Sequence, residues 1–158
     1  YNTVSVRHIL IKAEASEDGT YTDEAKAAAK ARAEEILAEF NSGDKTEDSF
    51  AELANKYSED EGSNTNGGLY ENIAKGQTVQ EFNDFCFAGH KAGDTGIVYG
   101  DNGSYAGYHV MYFVGEGEQY SDYLAKNSLR AADMNAWLEE LTSAYETSVG
   151  SGISFVGK

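Results

Sequence analysis

The chain has no proline in 158 residues, where average usage near 5% would supply about eight. Its own folding therefore has no slow prolyl step. Cysteine is limited to Cys86, which excludes an internal disulfide. One thiol suits a reducing compartment and equally an exported protein that avoids thiols. Basic residues are scarce: 12 Lys and Arg stand against 27 Asp and Glu, a net charge of −15. That argues against nucleic acid, whose binders need a basic surface to displace counterions, and against anionic membrane surfaces. An acidic surface aids solubility and is compatible with basic, unfolded polypeptide partners. No apolar run approaches the roughly 20 residues that span a bilayer, so this segment is not expected to insert into a membrane. No signal-peptide pattern is present. The sequence starts at Tyr1 without a methionine and enters an apolar segment almost at once, as expected of a piece of a longer protein. No His-x₃-His, Cys-x₂-Cys or calcium-loop spacing occurs, so no metal and no other cofactor is expected.

What is present is an ordered set of short elements. Val4 to Ile11 is apolar and β-branched and reads as a strand. Thr22 to Phe40 is an alanine-rich helix with Thr22 or Asp23 as N-cap and Asn41-Ser42-Gly43 as its stop. Glu47 to Tyr57 reads as a second helix capped by Thr46, with Phe50, Leu53, Ala54 and Tyr57 on one face. Ser58 to Gly68 is a loop and Leu69 to Ile73 a short irregular strand. Val79 to Phe87 reads as a third helix. Gly93 to Tyr99 and Gly107 to Val114 read as strands joined by the loop Gly100 to Ala106. That loop is too short for a parallel crossover, so an antiparallel hairpin is expected. Beyond Gly117 the character changes. Ser121 to about Tyr145 is helical, with Met134, Trp137, Leu138, Leu141 and Tyr145 in one stripe expected to pack against the domain or a neighbouring region, a client-binding surface being the lesser reading. Ile153 to Val156 is a strand or an extended tail. The fold class is α+β, a sheet covered by helices. The expected division is residues 1–117 as the domain and 118–158 as a helical extension with a short tail.

Two strand histidines carry the chemical signal. His8 opens His8-Ile9-Leu10-Ile11, and His109 sits in Gly107-Tyr108-His109. Between them lie Phe50-Ala51-Glu52-Leu53-Ala54, Tyr57-Ser58, Asp60, Gly67-Gly68-Leu69 and Gly76-Gln77-Thr78-Val79-Gln80-Glu81-Phe82, followed by Phe87. Each element alone is weak. Their order over about 105 residues resembles the parvulin family of peptidyl-prolyl cis/trans isomerases, from about Val4 to Glu116. The resemblance implies a small, mostly antiparallel four-stranded sheet wrapped by helices. It implies His8, Asp60 and His109 as the active-site group, and Leu69, Thr78, Phe82 and Phe87 as the lining of a proline pocket. Thr78 stands where the family usually has methionine, which makes that wall smaller and more polar.

Rotation about an Xaa-Pro amide breaks no bond and faces a barrier near 18–20 kcal/mol. An apolar cup can grip the pyrrolidine, and a dry site weakens resonance in the charge-separated planar amide. Asp60 is read as an electrostatic partner of the two histidines rather than a nucleophile. Cys86 is read as a small buried hydrophobe and His90 as a surface loop residue. Phosphate-selective relatives carry a basic cluster after the first strand. Here that loop holds Glu14, Glu17 and Asp18 beside Lys12, so phosphate selectivity is not expected. The expected partners are proline-containing polypeptide clients. The acidic surface resembles the exported foldases of Gram-positive bacteria, which implies an extracytoplasmic domain of a larger, membrane-anchored chain. The rival readings are a non-catalytic peptide-binding chaperone module and a docking domain whose Trp137 helix contacts the parent protein.

Overall fold

The computed structural model describes residues 1–143 and 145. They belong to two compact units, Tyr1–Tyr120 and Ser121–Lys158. In the first, the apolar segment around His8 forms β1 (Asn2–Lys12). After a turn, Thr22 caps α1 (Asp23–Ser42) by accepting from the Ala25 N–H, and Asp23 and Glu24 in the first turn complement the helix dipole. Thr46 and Ser49 form a reciprocal capping box at the start of α2 (Glu47–Tyr57). Then follow β2 (Leu69–Ile73), α3 (Gln80–Cys86), β3 (Thr95–Asp101) and β4 (Ala106–Gln119). The four strands form one sheet in the order β2-β1-β4-β3, with every pair antiparallel. This is the expected α+β architecture.

Strand alternation divides the side chains between two faces. Ile9 pairs with Val110 and Ile11 with Tyr108. On this face Ile9, Ile11, Val110 and Tyr112 pack on Ala33, Ile36 and Phe40 of α1 and on Phe50 and Ala54 of α2. His8 pairs with Met111 and Leu10 with His109. On this second face Val4, Val6, Met111 and Phe113 pack on Phe82, Phe85 and Cys86 of α3. The second cover is short, because α3 has 7 residues against 20 in α1. Part of that face is therefore left for a cavity.

Three elements differ from the expected bounds. Val79 and Phe87 are the caps of α3 rather than helical residues. β4 runs on to Gln119 because Asn2 at the start of β1 pairs with it. Asp101 pairs with Ala106, so the hairpin connection shrinks to Asn102–Tyr105. In the second unit, α4 (Tyr120–Ser143) has no buried residue. Its stripe Met134, Trp137, Leu138 and Leu141 is exposed. The segment Ile153 to Val156 lies outside the described residues.

Candidate active site

His8 and His109 stand diagonally on adjacent strands of the α3-covered face, within reach of one another. Their Nδ1 atoms are 3.0 Å apart and both rings are buried. His8 Nε2 lies 3.0 Å from Asp60 Oδ2. At the other end, the Tyr105 hydroxyl lies 2.9 Å from His109 Nε2. The run is thus Tyr105, His109, His8, Asp60.

Asp60 is brought there by a loop stitched to β1. Ser58 Oγ accepts from the Leu10 N–H at 3.1 Å, and the Glu59 N–H donates to the Leu10 carbonyl at 2.9 Å. At the loop's far end the His8 N–H donates to the Gly68 carbonyl at 2.8 Å. Gly68 has φ of +69°, and a Cβ there would lie 2.2 Å from the His8 carbonyl oxygen. No other residue fits. From the opposite face Arg7 holds the same loop. Its guanidinium donates to the carbonyls of Asn66 and Gly67, each at 3.0 Å, and to Glu47 at 2.9 Å.

Asp60 Oδ2 also accepts from Ser63 Oγ at 2.5 Å and from the Tyr70 hydroxyl at 3.1 Å. Oδ1 accepts from the Gly62 N–H at 3.3 Å. The hydrogen bond from His8, aided by Ser63 and Tyr70 against the opposing effect of burial, holds this carboxyl far below the usual carboxylate range. Burial, with the neighbouring His8 adding, lowers His109 to about 3. His109 is therefore neutral at physiological pH. An ionised Asp60 requires a proton on His8 Nε2. One hydrogen lies between the two Nδ1 atoms and one between His109 Nε2 and the Tyr105 hydroxyl. The Asp60 carboxylate accepts at both oxygens, from His8, Ser63, Tyr70 and the Gly62 N–H. This suits a fixed electrostatic group and not a nucleophile.

Above this run lies a cavity of about 380 Å³. Leu10, Val79 and Phe82 form its apolar wall, and Gln77, Thr78 and Asn102 stand with the polar residues of the run. The Phe82 ring meets both imidazoles edge-on, at centroid distances of 5.4 Å from His8 and 5.3 Å from His109. Thr78 Oγ1 is buried without a hydrogen-bond partner.

His8, Asp60, His109, Thr78 and Phe82 thus come together as expected from the sequence. Leu69 and Phe87 do not. Leu69 pairs with Arg7, so strand alternation turns it to the opposite face of the sheet. Phe87 follows the last turn of α3 and borders a separate depression with Tyr1 and Lys75. Its ring lies edge-on to Tyr1 at 5.9 Å. Tyr70, opposite Val6, takes the place foreseen for Leu69. Tyr70, Tyr105 and the buried Ser63 were not foreseen as site residues. The available signal was their polar type close to Asp60 and His109 in sequence. Gly100 is a further part of the site, since a Cβ there would lie 2.6 Å from His109 Nε2. Cys86 is buried as expected and burial pushes its thiol up to about 12. His90 is half-buried rather than on the surface, with its ring centroid 4.2 Å from that of Phe85.

Residues 1–113 match the family model of the PPIC-type PPIase domain. The chain is 31% identical over 144 residues to foldase protein PrsA 1 of Listeria innocua, covering 89% of this chain and 41% of that protein. It is 31% identical over 146 residues to foldase protein PrsA 3 of Bacillus cereus, covering 92% and 43%. The chain therefore spans less than half the length of these relatives. Two solved structures share the fold. Peptidylprolyl isomerase (PrsA) from Bacillus cereus aligns with a TM-score of 0.51 at 23% identity, covering 95% of this chain and 53% of that one. The PPIase domain of TbPar42 aligns with a TM-score of 0.53 at 21% identity, covering 70% of this chain and 98% of that one. With its family model matched from β1 into β4 on a sheet of the same architecture, the chain belongs to the PPIC-type, or parvulin, family of peptidyl-prolyl cis/trans isomerases.

Proposed function

We propose that the cavity under α3 receives the pyrrolidine ring of Xaa-Pro segments in unfolded or folding client polypeptides and lowers the barrier to rotation about the amide before it. The observation that carries this reading is the unbroken run Tyr105–His109–His8–Asp60 on the floor of an apolar cup. Phe82, Val79 and Leu10 hold the ring and exclude water. The amide, placed over the imidazoles, loses the hydration that favours its charge-separated planar form. The carbonyl lies near the negative end of the hydrogen-bonded run. Negative potential there destabilises the planar amide, whose oxygen carries more charge, relative to the twisted one. A millionfold acceleration requires about 8 kcal/mol, whereas one charge-assisted hydrogen bond contributes about 1.5–3 kcal/mol. The apolar wall therefore contributes at least as much as any single polar group. His8, Asp60 and His109 set the electrostatics. Thr78 and Phe82 shape the pocket.

Exchange NMR on short Xaa-Pro peptides, with the wild type and Asp60→Ala, tests this. Faster exchange with the wild type and a loss of roughly 10- to 100-fold in the variant is the expected result. Peptide shifts without faster exchange would replace catalysis by simple binding.

The domain is proposed to act in a larger, membrane-anchored chain outside the cytoplasmic membrane. Support comes from its likeness to the PrsA foldases and the fraction of their length it spans. Among the described residues no helix is long and apolar enough to cross a membrane. Recovery of the parent protein only in the soluble cytoplasmic fraction would refute the proposed location.

A further inference from the structure

The charge within the cavity is of one sign. Among the described residues no Lys or Arg lines it, and Asp60 supplies its formal charge. Tyr70 and Tyr105 stand on its polar side, each with its hydroxyl committed to one end of the run. Burial raises both phenols, Tyr70 to about 12, and the charged groups that add to the rise are anionic: Asp60 at both, and Asp101 at Tyr105. Asp101 is exposed at the end of β3, where it accepts from the Gly103 N–H at 3.0 Å and the Tyr99 hydroxyl at 3.1 Å. A pyrrolidine seated against Phe82 and Val79 leaves the residue before it at this polar side. A side chain there meets phenol rings and the Asp60 carboxylate with no Lys or Arg in the lining; Asp101 stands outside the lining, where Lys26 partly offsets its charge.

We propose that the site selects a cationic residue, Lys or Arg, immediately before the proline and disfavours an acidic or phosphorylated one. The proposal rests on the isomerase reading above and names its substrate class. The physical basis is twofold. A cleft of one sign with low-dielectric walls concentrates its field on the bound ligand. Aromatic faces add attraction for an ammonium or guanidinium group. A Glu side chain would be desolvated beside Asp60 with no partner, and a phosphoserine would bring nearly two negative charges. Selectivity of this kind comes from penalising the wrong partner as much as from holding the right one.

The test is exchange NMR with the full chain and one peptide scaffold carrying Lys, norleucine, Glu or phosphoserine before the proline, at low salt and at about 0.5 M salt. Lys should exceed Glu by roughly tenfold in kcat/KM at low salt, with norleucine between them, and the gap should narrow at high salt. Asp101→Asn keeps an acceptor for the Gly103 N–H and offers its amide NH2 as a donor to the Tyr99 oxygen. It should narrow the gap and leave the norleucine rate unchanged. A Glu or phosphoserine rate equal to the Lys rate overturns the proposal, as does a gap that both salt and Asp101→Asn leave untouched. Failure to accelerate any of the peptides would instead overturn the isomerase reading itself.

Discussion

Alternate residues of β1 and β4 build two different environments. On one face Ile9, Ile11, Val110 and Tyr112 meet 20- and 11-residue helices and the space is filled. On the other His8 and His109 meet a 7-residue helix and an open cavity. The same backbone serves both, so the difference lies in the length of the cover and in what each strand places beneath it. The filled face contributes stability. The half-covered face holds a buried polar run, whose cost is offset by satisfying each of its groups. The proposed binding site lies where packing is incomplete.

Three measurements sharpen that contrast. The largest effect is expected on the filled face. Phe50 is completely buried between the Phe40 and Tyr112 rings, so Phe50→Ala should cost about 3–5 kcal/mol in urea unfolding. The folded fraction should keep its isomerisation rate. A loss of activity in proportion to stability would show that the two faces are one energetic unit.

Acidification acts on the other face. The folded state lowers His109 from 6.5 to about 3, so between those values the unfolded chain binds the extra proton. Stability therefore falls as pH drops through that window and is fully present above it. Asp60, lowered from 3.8, adds loss of the same sign at more acid pH. Urea midpoints measured from pH 7 to pH 4 should decline, and His109→Gln should flatten the profile. Parallel slopes in the two proteins would place the acid sensitivity elsewhere.

The smallest effect concerns the end of the run. Tyr105→Phe keeps the ring and removes the hydroxyl that hydrogen-bonds His109 Nε2, a change of about 1 kcal/mol. A fall of roughly fivefold in kcat/KM is expected, with a drop in unfolding stability of about 1 kcal/mol because His109 Nε2 loses its partner. An unchanged rate would end the run at His109.

Much of this was legible in the sequence where local rules act alone. The bounds of Glu47–Tyr57 follow from Thr46 and the spacing of Phe50, Ala54 and Tyr57. The pairing of His8 with His109 followed from motif order. The site failed to be legible where register decides. Leu69 and Tyr70 are neighbours, and only the pairing of Arg7 with Leu69, next to a bulge between Val4 and Val6, settles which one faces His8. Phe87 follows Phe82 by five residues, but α3 ends between them, which sends the two rings to different depressions. Tyr105 reaches His109 because the hairpin connection closes to four residues, a length that composition does not fix.

The margin of the sheet has one more consequence. β2 pairs with β1 through Ile73, Tyr70 and Leu69 and is kinked by the bulge, while Ser58 and Glu59 cover the β1 backbone at Leu10. The edge on that side is β2, which is five residues long and bulged, a poor template for another strand. Under the function proposed above, a short, bulged edge disfavours strand addition by an unfolded client on this side of the sheet. Capture of a client side chain in the cavity, the contact proposed here, leaves no strand ladder to undo on release.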